Sequence, residues 1–235
     1  MKTIGLIGGM SWESSLVYYR LLNEEVKERL GGLHSAKCVL YSVDFAEIER
    51  LQREARWDEA GQEMAKAARS LEAAGADLIV LCTNTMHKLT YAIEEATKLP
   101  FLHIADATAA AILENGHRRV ALLATRFTME QDFYTGRLRD VHGLEVLLPD
   151  EEERNSVHEI IYHELCVGVI REESKQRYVQ IIQRLVEQGA EAVILGCTEI
   201  GLLISAEDSP VPIFDTTAIH ARIAVEAALE NEVQS

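Results

Sequence analysis

Two short strings in this 235-residue chain place reactive side chains directly after buried-looking apolar runs. Cys82-Thr83-Asn84-Thr85-Met86-His87 follows Leu78-Ile79-Val80-Leu81, and Gly196-Cys197-Thr198-Glu199 follows Ala192-Val193-Ile194-Leu195. Each string has a plain structural explanation, because Thr and Asn cap helices and a Cys after a strand often serves as a small buried hydrophobe. Each could also move protons. Amides in the segment after Cys197 are expected to lower its thiol from the usual pKa of about 8.5 toward a populated thiolate. Thr83 has no accessible anion, but its hydroxyl can donate or relay a proton. A third string, Gly8-Gly9-Met10-Ser11, lacks both the Gly-x-Gly-x-x-Gly fingerprint and a P-loop lysine. It reads as a loop passing close to a small carboxylate rather than a nucleotide site.

Short β-branched or Leu-rich runs alternate with segments of helical period, which predicts an α/β chain built on parallel sheets. Strands are expected at 3–7, 36–42, 78–81, 101–104, 120–124, 145–148, 192–195 and 213–214. Helices are expected at 14–30, 57–74, 85–97, 105–115, 129–139, 151–165, 172–188 and 218–231. The same architecture occurs twice. Gly75-Ala76-Asp77-Leu78-Ile79-Val80-Leu81 lies over Gly189-Ala190-Glu191-Ala192-Val193-Ile194-Leu195, and the same shift lays Thr83 on Cys197. Ile4-Gly5-Leu6-Ile7 matches Val120-Ala121-Leu122-Leu123, and Pro100-Phe101-Leu102 matches Pro212-Ile213-Phe214, at nearly constant spacing. Open parallel sheets bind ligands at the carboxyl ends of their strands. Two such halves packed face to face would set Thr83 opposite Cys197 across a shared cleft.

A formal net charge of −15 argues against a nucleic-acid partner, whose phosphates need clustered Lys and Arg. No apolar run approaches the roughly 20 residues of a membrane span, and the start of the chain has no leader pattern. The expectation is a cytoplasmic protein with a small-molecule partner and with its four cysteines as thiols. Asp150 to Glu153 reads as a solvated helix start rather than a metal site. Cys38 reads as core, His87 as a cap or loop contact, and Trp12 and Trp57 as core or dimer contacts.

With these motifs in hand, and with Ala124-Thr125-x-x-Thr128 between them, the chain resembles the aspartate/glutamate racemase family over essentially its whole length, and within it the enterobacterial amino-acid racemases. The resemblance implies two pseudo-symmetric lobes, each a parallel sheet flanked by helices, with the active site in the cleft between them. It divides the chain into 1–102 plus 214–235 and 103–213, and implies a homodimer. It also implies an isomerase that interconverts L and D amino acids with neither cofactor nor metal, by removing the α-proton on one face and returning one on the other. Cys197 and Thr83 take the catalytic positions, and Met10, Gln52, Asn84, Thr85, Thr128, Thr198 and Glu199 the substrate-binding ones. The family's first motif has a cysteine where this chain has Thr83, and its usual lysine position falls on Cys166. An aspartate or glutamate side chain would then meet no lysine there, and Gln52 or Arg50 would stand in for the family's arginine near the end of the second strand, so polar neutral substrates such as homoserine are expected as well. The alternatives are a decarboxylase or isomerase of the same superfamily, or an amino-acid-binding protein that has lost one base.

Overall fold

The structure, a computed structural model, describes residues 1–230; residues 231–235, which end both the expected last helix and the expected 214–235 segment, lie outside the described residues. The chain forms two compact units, Met1–His103 with the segment from His220 onward, and Ile104–Ile219. In the first unit, strands β1 (Ile4–Gly8), β2 (Cys38–Ser42), β3 (Leu78–Leu81) and β4 (Phe101–Leu102) form a sheet in the order β2-β1-β3-β4. All its pairs are parallel. Helices α1 (Trp12–Leu30), α2 (Phe45–Arg53), α3 (Trp57–Ala73) and α4 (Thr90–Ala96) connect these strands.

Strand side chains alternate between faces, so a strand buried on both sides must be apolar throughout. Ile4, Leu6, Leu78 and Val80 pack with Tyr18, Leu22 and Val26 of α1, while Ile7, Ile79 and Leu81 pack with α2 and α3 through Ile48, Met64 and Leu71. Each such side chain contributes roughly 1.5–3 kcal/mol when fully buried. Helix α1 starts at Ser11, whose side chain accepts from the Ser14 N–H at 3.3 Å, and its 18/22/26 stripe faces inward.

The second unit opens with α5 (Ile104–Glu114) and contains β5 (Arg119–Ala124), α6 (Arg126–Glu130), α7 (Asp132–Gly136) and β6 (Glu145–Leu147). It continues through α8 (Glu151–His163), α9 (Glu172–Glu187), β7 (Ala192–Gly196) and β8 (Ile213–Asp215), and α10 (Thr216–Leu229) follows. Its sheet is parallel in the order β6-β5-β7-β8, the same pattern as in the first unit.

The structure differs from the sequence reading in four places. Helix α2 was not anticipated: Asp44 caps it by accepting from the Ala46 N–H at 3.0 Å, but in nine residues only Ile48, Leu51 and Gln52 are buried, too few to show a period. The helix expected at 85–97 begins as a 3-10 turn over Thr85–Leu89. There the His87 ring occupies the Thr83 carbonyl, and the His87 N–H turns to Asn84 O at 3.1 Å. The helix expected at 129–139 starts earlier, at the Thr125 cap, and breaks at Gln131, where ψ is 146°. Finally, the boundary expected at 214 falls inside β8. Phe214 and Asp215 pair with Ile194 and Leu195 of the second sheet, so the chain rejoins the first unit only at His220.

Candidate active site

In the first unit the adjacent strands β1 and β3 end together, with Ile7 paired to Leu81. The Cys82 N–H extends the ladder to Ile7 O at 2.9 Å, so the Gly8–Ser11 loop and Thr83–Thr85 leave neighbouring strand ends. Gly8 and Gly9 are required here. Gly9 has φ of +90°, and a Cβ on it would strike the Val43 backbone. Its N–H is held by Ser15 Oγ at 2.7 Å.

Met10, Thr83, Asn84 and Thr85 are all buried, as is Gln52 of α2, whose amide donates to Met86 Sδ at 3.0 Å. The first unit therefore brings these candidates into one neighbourhood. Arg50 is exposed, unlike these residues, and its charge acts on the carboxylates of Glu54 and Glu59. His87 has a definite task. Its Nδ1–H donates to Thr83 O at 2.7 Å, since a carbonyl can only accept, and the ring lies against Phe101 and His103. Cys82 is fully buried, and burial pushes its thiol far up, which leaves it inert beside Thr83.

In the second unit β5 and β7 end side by side, with Ala124 paired to Gly196. Glycine at 196 lets the strands pack closely, since a Cβ would lie 2.7 Å from Leu122 Cδ1 and 3.0 Å from Ala124 Cβ and force Leu122 to shift. Cys197, Thr198 and Glu199 leave β7 buried, and Thr125 and Thr128 leave β5 with their hydroxyls 3.1 Å apart. Glu199 is 1% exposed and accepts from both Cys197 Sγ at 3.0 Å and Thr198 Oγ1 at 2.6 Å.

This geometry corrects the expected thiolate. Burial, then the Glu199 carboxylate, then Cys166 hold the Cys197 thiol well above its ordinary value, and the Glu199 N–H only partly offsets them. A second anion beside a buried carboxylate is costly, so Cys197 rests as a thiol donating to Glu199. Cys166 sits half-buried in the short turn Leu165–Val167 and acts electrostatically on Cys197. Tyr178 of α9 is fully buried and donates to Val157 O at 3.2 Å.

The remaining readings follow local rules. Asp150 caps α8 by accepting from the Glu153 N–H at 3.0 Å, a helix start as expected. Trp12 is exposed, and Trp57 carries the Lys88 ammonium 4.0 Å from its ring centroid. Among the described residues, no group of three or more His, Cys, Asp or Glu is placed to hold a metal ion, and no helix is long and apolar enough to cross a membrane.

The family model for Asp/Glu/Hydantoin racemase matches residues 7–224. A candidate Asp/Glu racemase from Yersinia pestis is 57% identical, with 97% of this chain and 100% of that one covered and a TM-score of 0.90. An aspartate racemase homologue from Pyrococcus horikoshii OT3 is 38% identical over 97% of this chain and 99% of its own, with a TM-score of 0.84. The broad-specificity amino-acid racemase RacX of Bacillus subtilis is 29% identical over 178 residues, 73% of this chain and 74% of its own length. With the match spanning both sheets and both strand-end clusters, this chain belongs to the Asp/Glu/Hydantoin racemase family and is an isomerase of the racemase class.

Proposed function

We propose that the chain is a cofactor-independent amino-acid racemase. In this reading it interconverts the L and D forms of acidic amino acids and of polar neutral ones such as homoserine, with Cys197 and Thr83 working on opposite faces of Cα. The observation that carries the proposal is the matched placement of the two proton donors. Each stands just past the carboxyl end of the third strand in its own sheet, β3 for Thr83 and β7 for Cys197.

Removal of a weakly acidic α-proton needs a base on one face and an acid on the other. When the substrate ammonium approaches, Cys197 passes its proton to Glu199, and the thiolate takes the α-proton. The electron pair left on Cα spreads into the α-carboxylate, which Asn84, Thr85, Thr128, Thr198 and the Met10 loop meet with preorganised donors. Gln52 meets the substrate side chain. Thr83 relays a proton taken from solvent water to the other face, and Glu199 releases to solvent the proton it took from Cys197, which restores the proton count and the charge. The reverse direction asks a hydroxyl to act as a base, so one direction runs faster. Neither pyridoxal phosphate nor a metal takes part in the scheme.

The test is α-proton exchange in deuterated water with a panel of L and D amino acids. Exchange by the native chain, abolished in Cys197→Ala and raised in Thr83→Cys, is expected. Exchange no faster than in Cys197→Ala would sink the proposal. Release of CO2 from substituted malonates would instead indicate a decarboxylase, and saturable binding without exchange a binding protein. The reading includes a homodimer in the cytoplasm. The exposed Trp12, Leu16 and Tyr19, one face of α1, support the first part, and four free thiols the second. A monomeric mass by light scattering would remove the dimer.

A further inference from the structure

We infer that Arg126 is a specificity-determining residue that binds the side-chain carboxylate of acidic substrates. The inference rests on the racemase reading and names the group that would recognise one substrate class. The residues proposed to bind substrate, Met10, Gln52, Asn84, Thr85, Thr128, Thr198 and Glu199, contain no cation and one carboxylate. A second carboxylate taken from water into such surroundings is unfavourable without a charged, hydrogen-bonded partner.

Arg126 is the first residue of α6, next to Thr125 and two before Thr128. Because Ala124 is paired with Gly196 on the adjacent parallel strand, about 4.8 Å away, Thr125-Arg126 and Cys197-Thr198 start from neighbouring strand ends. The two threonines are buried, while Arg126 is exposed.

Most other arginines of the unit are neutralised, among them Arg119 by Glu145, Arg137 by Asp106, Arg139 by Asp140 and Arg154 by Glu130, and Arg118, which shares the lack of an ion pair among the described residues, precedes β5 at the opposite end of that strand. The Arg126 guanidinium has no carboxylate within ion-pairing distance among the described residues. It reaches only the neutral amide oxygen of Asn155, at 3.4 Å. Its backbone is pinned all the same, with its N–H donating to His158 Nδ1 at 3.3 Å and the His158 ring packed against Phe127 and Tyr162. Burial, and then the Arg126 charge, hold His158 below its ordinary pKa, so the imidazole stays neutral and does not repel the guanidinium. A fixed backbone with an unneutralised planar fork suits bidentate capture of a carboxylate.

The experiment compares aspartate with asparagine and glutamate with glutamine, pairs that differ by one charge. In Arg126→Gln the ratio of kcat/KM for acid over amide is expected to fall about 10–100-fold, the scale of a hydrogen bond to a charged group, with the loss in KM for the acids. Arg126→Lys retains part of the ratio. A ratio in Arg126→Gln within twofold of the native one overturns the inference. Calorimetric binding of aspartate and asparagine to the native chain and Arg126→Gln is measured alongside. If the native chain exchanges no amino acid, the racemase reading falls, and the binding ratio still decides on Arg126. A lowered ratio sustains it, and an unchanged ratio, or no aspartate binding to the native chain, overturns it.

Discussion

Cys197 and Glu199 form one unit of proton chemistry, because a buried thiol 3.0 Å from a buried carboxylate cannot ionise independently of it. Glu199→Gln removes an anion that holds the thiol proton on. The Cys197 pKa is then expected to fall, and alkylation at pH 8, followed residue by residue by mass spectrometry, to speed up. Proton exchange on substrate is expected to drop about 10²–10⁴-fold, the usual contribution of a positioned acid or base. Slower alkylation in Glu199→Gln would show that the carboxylate does not set the thiol's ionisation. The motif Gly-Cys-Thr-Glu was visible in the sequence, yet the thiol's resting state was not. Ionisation depends on burial and on where the Glu199 side chain points, and neither follows from residue order.

At the scale of elements, a helix–strand–loop unit carries each cluster, and its precision comes from close packing of strand ends. Leu122 of β5 is fully buried and lies against the position where Gly196 excludes a side chain. Leu122→Ala is expected to destabilise the second unit by about 2–5 kcal/mol. It should appear as an earlier urea transition, while Leu202→Ala, at a partly exposed turn, shifts it little. Equal shifts would mean that β5 does not anchor the unit. All eight strands were legible, the central β1, β3, β5 and β7 because a strand buried on both faces must be a short apolar run, and the others from their β-branched or apolar residues beside turn signals. Helix α2 was not, since a nine-residue segment with three buried positions looks like a loop until Asp44 is seen to cap it. Gln52 could be singled out only through the family resemblance, but its burial required that helix.

Across the whole molecule, the chain leaves its first unit and returns at His220, a fully buried residue that joins three segments. Tyr18 OH donates to its Nδ1 at 2.9 Å, and its Nε2–H donates to Leu102 O at 2.9 Å. Burial pushes its pKa down to about 4. The unfolded chain, with an imidazole pKa of about 6.5, therefore binds the proton more readily than the folded one. This contribution is fully present above pH 6.5 and is lost as pH falls toward 4, a difference of roughly 3 kcal/mol. His220→Gln is expected to flatten the decline of stability between those values, measured by urea titration at several pH values. An unchanged slope would show that other groups carry it. The sequence alone determined the class of fold, the duplication and the equivalence of Thr83 with Cys197, because apolar periodicity and repeated strings are properties of residue order. Only the tertiary structure decided that β8 stays with the second sheet, that His87 holds the Thr83 carbonyl, that Cys197 is a thiol on Glu199, and that Arg126 has no counter-ion among the described residues. Each of these depends on which distant groups folding brings within hydrogen-bond or ion-pair distance, and on how much water it leaves around them.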